Sequence, residues 1–153
     1  MNISRTYDYE LIAKLNKPVH ELHVNLYPEF FKEYNSELIT EAFKTIMQNK
    51  QQLFFVIIKN KEALGYIWTE VVQYQENVFR NSYQTLFVHQ LCVSQTDRNK
   101  GYGTKLMEKV YQIAKEKKIH RIELDYWAGN DIMKSFCDKH GFQKHRQFMY
   151  KQL

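Results

Sequence analysis

The chain has 153 residues, of which 44% are apolar and 25% charged, with a formal charge of +5. That length fits one domain, 1–153, with mass enough for a real core, and no apolar run approaches the ~20 residues that span a bilayer. The basic residues are dispersed, the densest groups being Lys115-Glu116-Lys117-Lys118 and Lys144-His145-Arg146, so a solvated basic surface is expected rather than a nucleic-acid or membrane partner. Only Cys92 and Cys137 are present, without a framework of pairs, and Met1-Asn2-Ile3-Ser4-Arg5 lacks a signal-type apolar segment. Both features point to the cytoplasm.

Residues 2 to 7 carry a short strand signal, and Asp8 is placed to cap the helix that follows. That helix uses Leu11, Ile12 and Leu15 and is expected to break near Pro18, which can open a second segment with Val19, Leu22, His23 and Leu26. His20 and His23 lie three apart, but no carboxylate or cysteine stands at ligand spacing, so no metal is expected. Tyr27-Pro28-Glu29-Phe30-Phe31 is an aromatic loop. Ser36 is then expected to cap a helix whose apolar side holds Leu38, Ile39, Ala42, Phe43 and Ile46.

Leu53–Lys59 and Ala63–Gln73 read as an antiparallel hairpin, and Gln84–Val93 as the next strand after a polar loop. Leu106, Met107, Val110, Ile113 and Ala114 mark one face of a helix. Arg121–Tyr126 alternates as a strand. Strand, helix, strand in this order forces a parallel pair with a right-handed crossover. The final helix, Asp131–His140, stops at Gly141 as a left-handed cap, with Phe142 positioned for the accompanying apolar contact. Lys144–Tyr150 is expected to close the sheet.

The organising stretch runs from Leu91 to Thr104. Leu91, Cys92 and Val93 end a strand, and Arg98, Asn99, Lys100, Gly101, Tyr102, Gly103 and Thr104 bring successive backbone N–H groups to a helix N-terminus. There the first donors lack intrahelical partners and the dipole favours an anion. Two missing Cβ atoms admit a phosphate, and Arg98 and Lys100 add charge. This is a pyrophosphate cradle, though neither the Walker pattern nor the three-glycine dinucleotide fingerprint is present.

The spacing Arg98-x-x-Gly101-x-Gly103, after a strand ending Leu-x-Val, resembles the acetyl-CoA motif of the GNAT superfamily of N-acetyltransferases. Asn130 to Phe142 is similar to that superfamily's last helix, Asn-x-x-Ala-x-x-Phe-Tyr-x-x-x-Gly-Phe. The resemblance covers roughly Thr85 onward. It implies an α/β fold with one mixed, mostly antiparallel sheet of about six to seven strands, one parallel crossover and about four flanking helices. The parallel strands would diverge, with acetyl-pantetheine lying between them and pairing with the backbone of Leu91 to Val93 like an added strand. It further implies acetyl-CoA as cosubstrate and an amine-bearing small molecule or peptide as acceptor. The chain is expected to be a monomer or homodimer. Asn130 matches the family's asparagine, and helical phase adds Lys134 as a cofactor contact.

Acetyl transfer needs a neutral amine, a polarised thioester carbonyl and a proton for the departing thiolate. Amines titrate near ~10.4, so a base is required. His89, read as sharing a strand face with Leu91 and Val93, is the candidate, since imidazole ordinarily titrates near neutrality. Glu70 on the neighbouring strand competes with it. The Val93 N–H is placed to hold the carbonyl oxygen. Cys137 stands where the superfamily usually has a tyrosine that acts as acid. A thiol is the poorer donor, so Cys137 is either a substitute acid or a buried space-filler. Tyr27 to Phe31 with Glu33, Glu37 and Glu70 would form an aromatic, acidic mouth for a cation such as a polyamine, an aminoglycoside or a peptide amine. The alternative is a non-catalytic acyl-CoA-binding or regulatory module that keeps the cradle and lacks the chemistry.

Overall fold

Every residue from 1 to 153 is described in the computed structural model. Strand β1 (Asn2–Arg5) leads to Asp8, whose carboxylate accepts the Leu11 N–H at 2.9 Å and starts α1 (Tyr9–Leu26). Pro18 does not break this helix, contrary to the sequence expectation. A proline removes one N–H and crowds the preceding turn, but tertiary donors support the carbonyls there. The Tyr34 hydroxyl donates to the Ala13 carbonyl at 2.6 Å and the Cys92 thiol to the Leu15 carbonyl at 3.3 Å. Those two carbonyls flank that of Lys14, the one that Pro18 leaves without its helical donor. Helix α2 (Ser36–Ile46) is capped by Asn35 rather than by Ser36, through the Leu38 N–H at 3.0 Å.

β2 (Gln52–Lys59), β3 (Glu62–Tyr74) and β4 (Tyr83–Val93) form an antiparallel meander, to which β1 adds on the β2 side. α3 (Tyr102–Glu116) then crosses over to β5 (Ile122–Leu124), which runs parallel to β4. The sheet order is β1-β2-β3-β4-β5. There are thus five strands rather than six or seven, because residues 143–153 form no strand and lie exposed. α4 (Asp131–Lys139) ends as anticipated. Gly141 has φ 72°, its N–H bonds the Asp138 carbonyl, the Phe142 N–H bonds that of Cys137, and Phe142 packs on the core. That is a Schellman ending.

Strand alternation sorts the core into two layers. Leu53, Phe55 and Ile57 join Leu86, Val88, Leu106, Met107 and Val110 on the α3 face. Phe54, Tyr66 and Cys92 meet Ile12, Ala13 and Phe43 on the α1–α2 face. No helix is long and apolar enough to cross a membrane.

Candidate active site

β4 and β5 pair only from Leu86 opposite Ile122 to Val88 opposite Leu124. Beyond Val88 the parallel strands part, and β4 continues to Val93 with its outer side open. At this branch point the β3–β4 ladder slips: Trp68 faces Gln90 while Thr69 faces Val88, so His89 is the extra residue of a β-bulge.

The bulge overturns one sequence expectation. A strand side chain changes face at every residue, so a single inserted residue reverses the alternation. Ahead of it Leu86 and Val88 point to the α3 face; past it Leu91 and Val93 do so, while Cys92 packs on the α1–α2 face. His89 therefore does not share a face with Leu91 and Val93. Its ring stacks on Trp68 at 4.5 Å and lies 4.9 Å from Phe87, on the α1–α2 side. The backbone follows the same logic. The Leu86 N–H points to the β5 side, bonding Arg121, and the Ser94 N–H points to β3, bonding Leu64. Alternation beyond the bulge then turns the N–H groups of Leu91 and Val93 into the gap between the diverging strands.

The two candidate bases are bonded to each other: His89 Nε2 lies 2.7 Å from Glu70 Oε2, with 29% and 26% of their side chains exposed. An ionised carboxylate only accepts, so Nε2 carries a proton, and in the neutral imidazole the lone pair is then on Nδ1. A buried polar network not apparent in the sequence pins the next residue. Asn16 Nδ2 donates to the Gln90 side-chain oxygen and to the Tyr66 hydroxyl, both at 3.0 Å, and that hydroxyl donates to Gln90. Burial pushes the Tyr66 phenol well above its ordinary range, keeping it a donor. The available signal was Asn16 itself, a polar residue one helical turn from Ile12 on the apolar face of α1.

The glycine turn leads directly into α3. Gly101 adopts φ 81° at the N-cap, no side chain caps the helix, and a Cβ there would meet nothing within 4 Å. The N–H groups of Tyr102, Gly103 and Thr104 thus head a helix with open approach, the setting a phosphate needs. Asn99 is also left-handed, at φ 62°. Lys100 is exposed and bonds Asp97 at 2.9 Å, while Tyr102 is buried with its hydroxyl 3.3 Å from Lys59 Nζ. Arg98 is half-buried. Gly103 is needed for space: a Cβ would come within 3.3 Å of the Phe136 ring and 3.9 Å of Leu91. Gly103→Val should therefore weaken acetyl-CoA binding at least about tenfold by crowding the turn, with the fold retained. Calorimetry reads it, and unchanged affinity would remove the turn from the site.

On α4, Asn130 is the N-cap, accepting the Met133 N–H at 3.0 Å, and Lys134 bonds Asp138 at 3.0 Å along its own helix. Neither side chain is turned to the glycine turn by these bonds. Phe136 is the α4 residue that meets Gly103, whereas Cys137 is 5% exposed and near Tyr111. Burial, and then the Asp138 carboxylate, push the Cys137 thiol up, so it stays protonated at neutral pH. His140 fastens α4 to α3 through Thr104 at 3.3 Å and Tyr111 at 3.4 Å.

A second cluster joins the α1–α2 loop to the β5–α4 loop, at the end where β4 and β5 diverge. Trp127 lies 4.7 Å from Tyr27, 5.7 Å from Phe30 and 5.0 Å from Phe31, and the Gly129 N–H donates to the Tyr27 hydroxyl at 2.8 Å. His23 stacks on Phe31, and His20 bonds the Lys32 carbonyl. Trp127, exposed by 39%, had no partner that sequence spacing indicated.

Residues 17–142 match the sequence model of the acetyltransferase (GNAT) family. Among solved structures, a tetramutant of the BH1408 protein from Bacillus halodurans is similar over 100% of both chains, with TM-score 0.93 and 26% identity. The apo aminoglycoside antibiotic 6'-N-acetyltransferase AAC(6')-IG from Acinetobacter haemolyticus matches over 100% of this chain and 98% of its own, with TM-score 0.74 and 15% identity. The aminoglycoside N-acetyltransferase AAC(6')-Iy in complex with CoA matches over 99% and 93%, with TM-score 0.72 and 15% identity. At that identity the last two likenesses concern the fold.

Proposed function

Since this chain belongs to the GNAT acetyltransferase family, we propose that it transfers the acetyl group of acetyl-CoA directly to a primary amine of a small molecule or peptide within a ternary complex. The observation that carries this reading is the His89–Glu70 pair at the point where β4 leaves β5. Glu70 orients the imidazole by accepting its Nε2 proton, and Nδ1 takes the proton that the amine must lose before it attacks. The resulting imidazolium is stabilised by the same carboxylate. The N–H groups of Leu91 and Val93 bind the pantetheine arm and hold the thioester oxygen as it gains charge. The α3 N-terminus, with Arg98 and Lys100, takes the pyrophosphate, and no metal is required by any of these steps.

The acceptor class follows from the aromatic cluster that joins the α1–α2 loop to the β5–α4 loop. Tyr27, Phe30, Phe31 and Trp127 offer ring faces to a cation, and Glu29 and Glu33 on the same loop add negative charge. A cationic amine is the acceptor this surface suits. Initial rates with both substrates varied should give intersecting lines, as a ternary complex requires, whereas parallel lines would mean a covalent acetyl-enzyme.

Cys137 supplies the proton to the departing thiolate in this reading. A neutral thiol is a helpful acid rather than an indispensable one, because CoA thiolate is a tolerable leaving group. Cys137→Ala should lower kcat by about tenfold and leave acetyl-CoA affinity nearly unchanged. A loss beyond about a thousandfold would make Cys137 a nucleophile, and no loss would leave solvent as the acid. The specific observation favouring the non-catalytic alternative is the same thiol, buried where a tyrosine hydroxyl is usual.

A further inference from the structure

A bulge is a defect that a ladder can carry at more than one place, so something must decide which residue is the extra one. On one side of His89, Val88 is 2% exposed and packs with Leu86 on the α3 face, opposite Thr69. Were Val88 the extra residue, His89 would stand opposite Thr69 and turn into that apolar core. On the other side Gln90 stands opposite Trp68, and its side chain is polar, so burial alone does not hold it there. Its oxygen accepts from Asn16 Nδ2 at 3.0 Å and from the Tyr66 hydroxyl, and Asn16 also donates to that hydroxyl. Asn16 is 2% exposed and Tyr66 fully buried. Buried polar groups cost stability unless they are paired, and here each satisfies another. The strand is tied to α1 once more at Cys92, whose thiol donates to the Leu15 carbonyl. His89 and Gln90 thus both point to the α1–α2 side, an arrangement that a regular strand excludes.

We infer that Asn16, Tyr66 and Gln90 are positioning residues for the acetyl transfer: by holding Gln90 opposite Trp68, they make His89 the extra residue and set it against Glu70. Without that hold, Val88 still stays in the α3 core, and the extra place is free to pass from His89 to Gln90. His89 would then face Trp68, up to about 3.3 Å farther along the strand. That is more than the 2.7 Å bond to Glu70 spans, so the pair would part. Pairing resumes at Ile67 opposite Leu91 in either arrangement, so the N–H groups of Leu91 and Val93 keep their direction. The network therefore governs the base and not the cofactor contacts. A purely structural role would instead lower stability and leave the His89–Glu70 pair as it is. The kinetic consequence rests on the proposed function, whereas the placement of His89 rests on geometry alone.

Gln90→Met keeps the length of the side chain, removes its oxygen, and leaves Asn16 bonded to Tyr66. Tyr66→Phe keeps the buried ring and removes only the hydroxyl, so it serves where the first variant folds poorly. In both, kcat for amine acetylation per folded molecule is expected to fall at least about tenfold, with acetyl-CoA affinity within about twofold. The double variant His89→Gln, Gln90→Met should be no slower than His89→Gln alone, because the network acts through His89. Nitrogen-15 NMR supplies a readout that needs no turnover. The His89 Nε2 proton, bonded to Glu70, should exchange at least about tenfold faster in the variants than in the wild type. An unchanged Nε2 proton, whatever the melting temperature, would overturn the inference, and so would an unchanged kcat in an enzyme that acetylates. Losses that multiply in the double variant would overturn it as well, as would a wild-type Nε2 proton without protection. If the wild type acetylates no amine, the proposed function fails, and the Nε2 proton decides the placement of His89 by itself.

Discussion

Replacing His89 with glutamine is expected to lower the rate of amine acetylation by about a hundredfold or more, with acetyl-CoA binding unchanged. Glutamine can still donate one bond to Glu70 and fill much of the space against Trp68, so the bulge should survive. What it cannot do is accept a proton. A general base acts only when it is free to accept a proton, so the wild-type rate should climb with pH, and that climb should be absent from His89→Gln. The bond to Glu70 makes a second expectation. Glu70→Gln keeps the hydrogen bond but removes the charge that stabilises the imidazolium, so its loss should be smaller than that of His89→Gln and its profile shifted rather than abolished. If His89→Gln retains both rate and pH profile, Glu70 or solvent is the base and His89 is a packing residue.

The other large effect falls on a glycine outside the cradle. A Cβ on Gly65 would stand 2.3 Å from the Cys92 carbonyl oxygen and 3.0 Å from the Val93 Cα, both backbone atoms of the neighbouring strand. No side-chain adjustment can relieve that approach, so the strands themselves must part. Gly65→Val should cost about 3 kcal/mol or more of stability, at the upper end for overpacked sites. The strain would fall on Leu91–Val93, the part of β4 that faces the gap. Chemical denaturation with circular dichroism reads the first effect and acetyl-CoA titration of the folded fraction the second. A variant of wild-type stability would mean that the β3–β4 pairing at Gly65 opposite Val93 is wrong.

Much of this was legible before the coordinates. Asp8, Gly141 and the glycine turn carry their structure locally, in a side-chain cap, a left-handed cap and an uncapped helix start, and each appears where expected. Strand, helix, strand fixed the parallel pair, whereas its divergence was implied only by the family resemblance. The failures share one cause, since they depend on partners distant in sequence. Pro18 stays helical because Tyr34 and Cys92 serve the carbonyls around it. His89 changes face because the slip lies in the register with β3, which no alternation along β4 alone can reveal. Asn16, Tyr66 and Gln90 meet across three elements, and Trp127 finds Tyr27 across a hundred residues of chain. The last expected strand fails to join its own sheet because Lys144, His145, Arg146 and Gln147 precede Phe148, so its first half has no apolar face to bury.

Thiol release from acetyl-CoA, followed with a panel of cationic primary amines and confirmed by the mass of the acetylated product, tests the central claim most directly. The expected result is release that requires an amine, equals the amide formed mole for mole, and is lost in His89→Gln while acetyl-CoA still binds. Tight acetyl-CoA binding with no release for any amine would contradict the account and leave a binding module with an acetyltransferase fold.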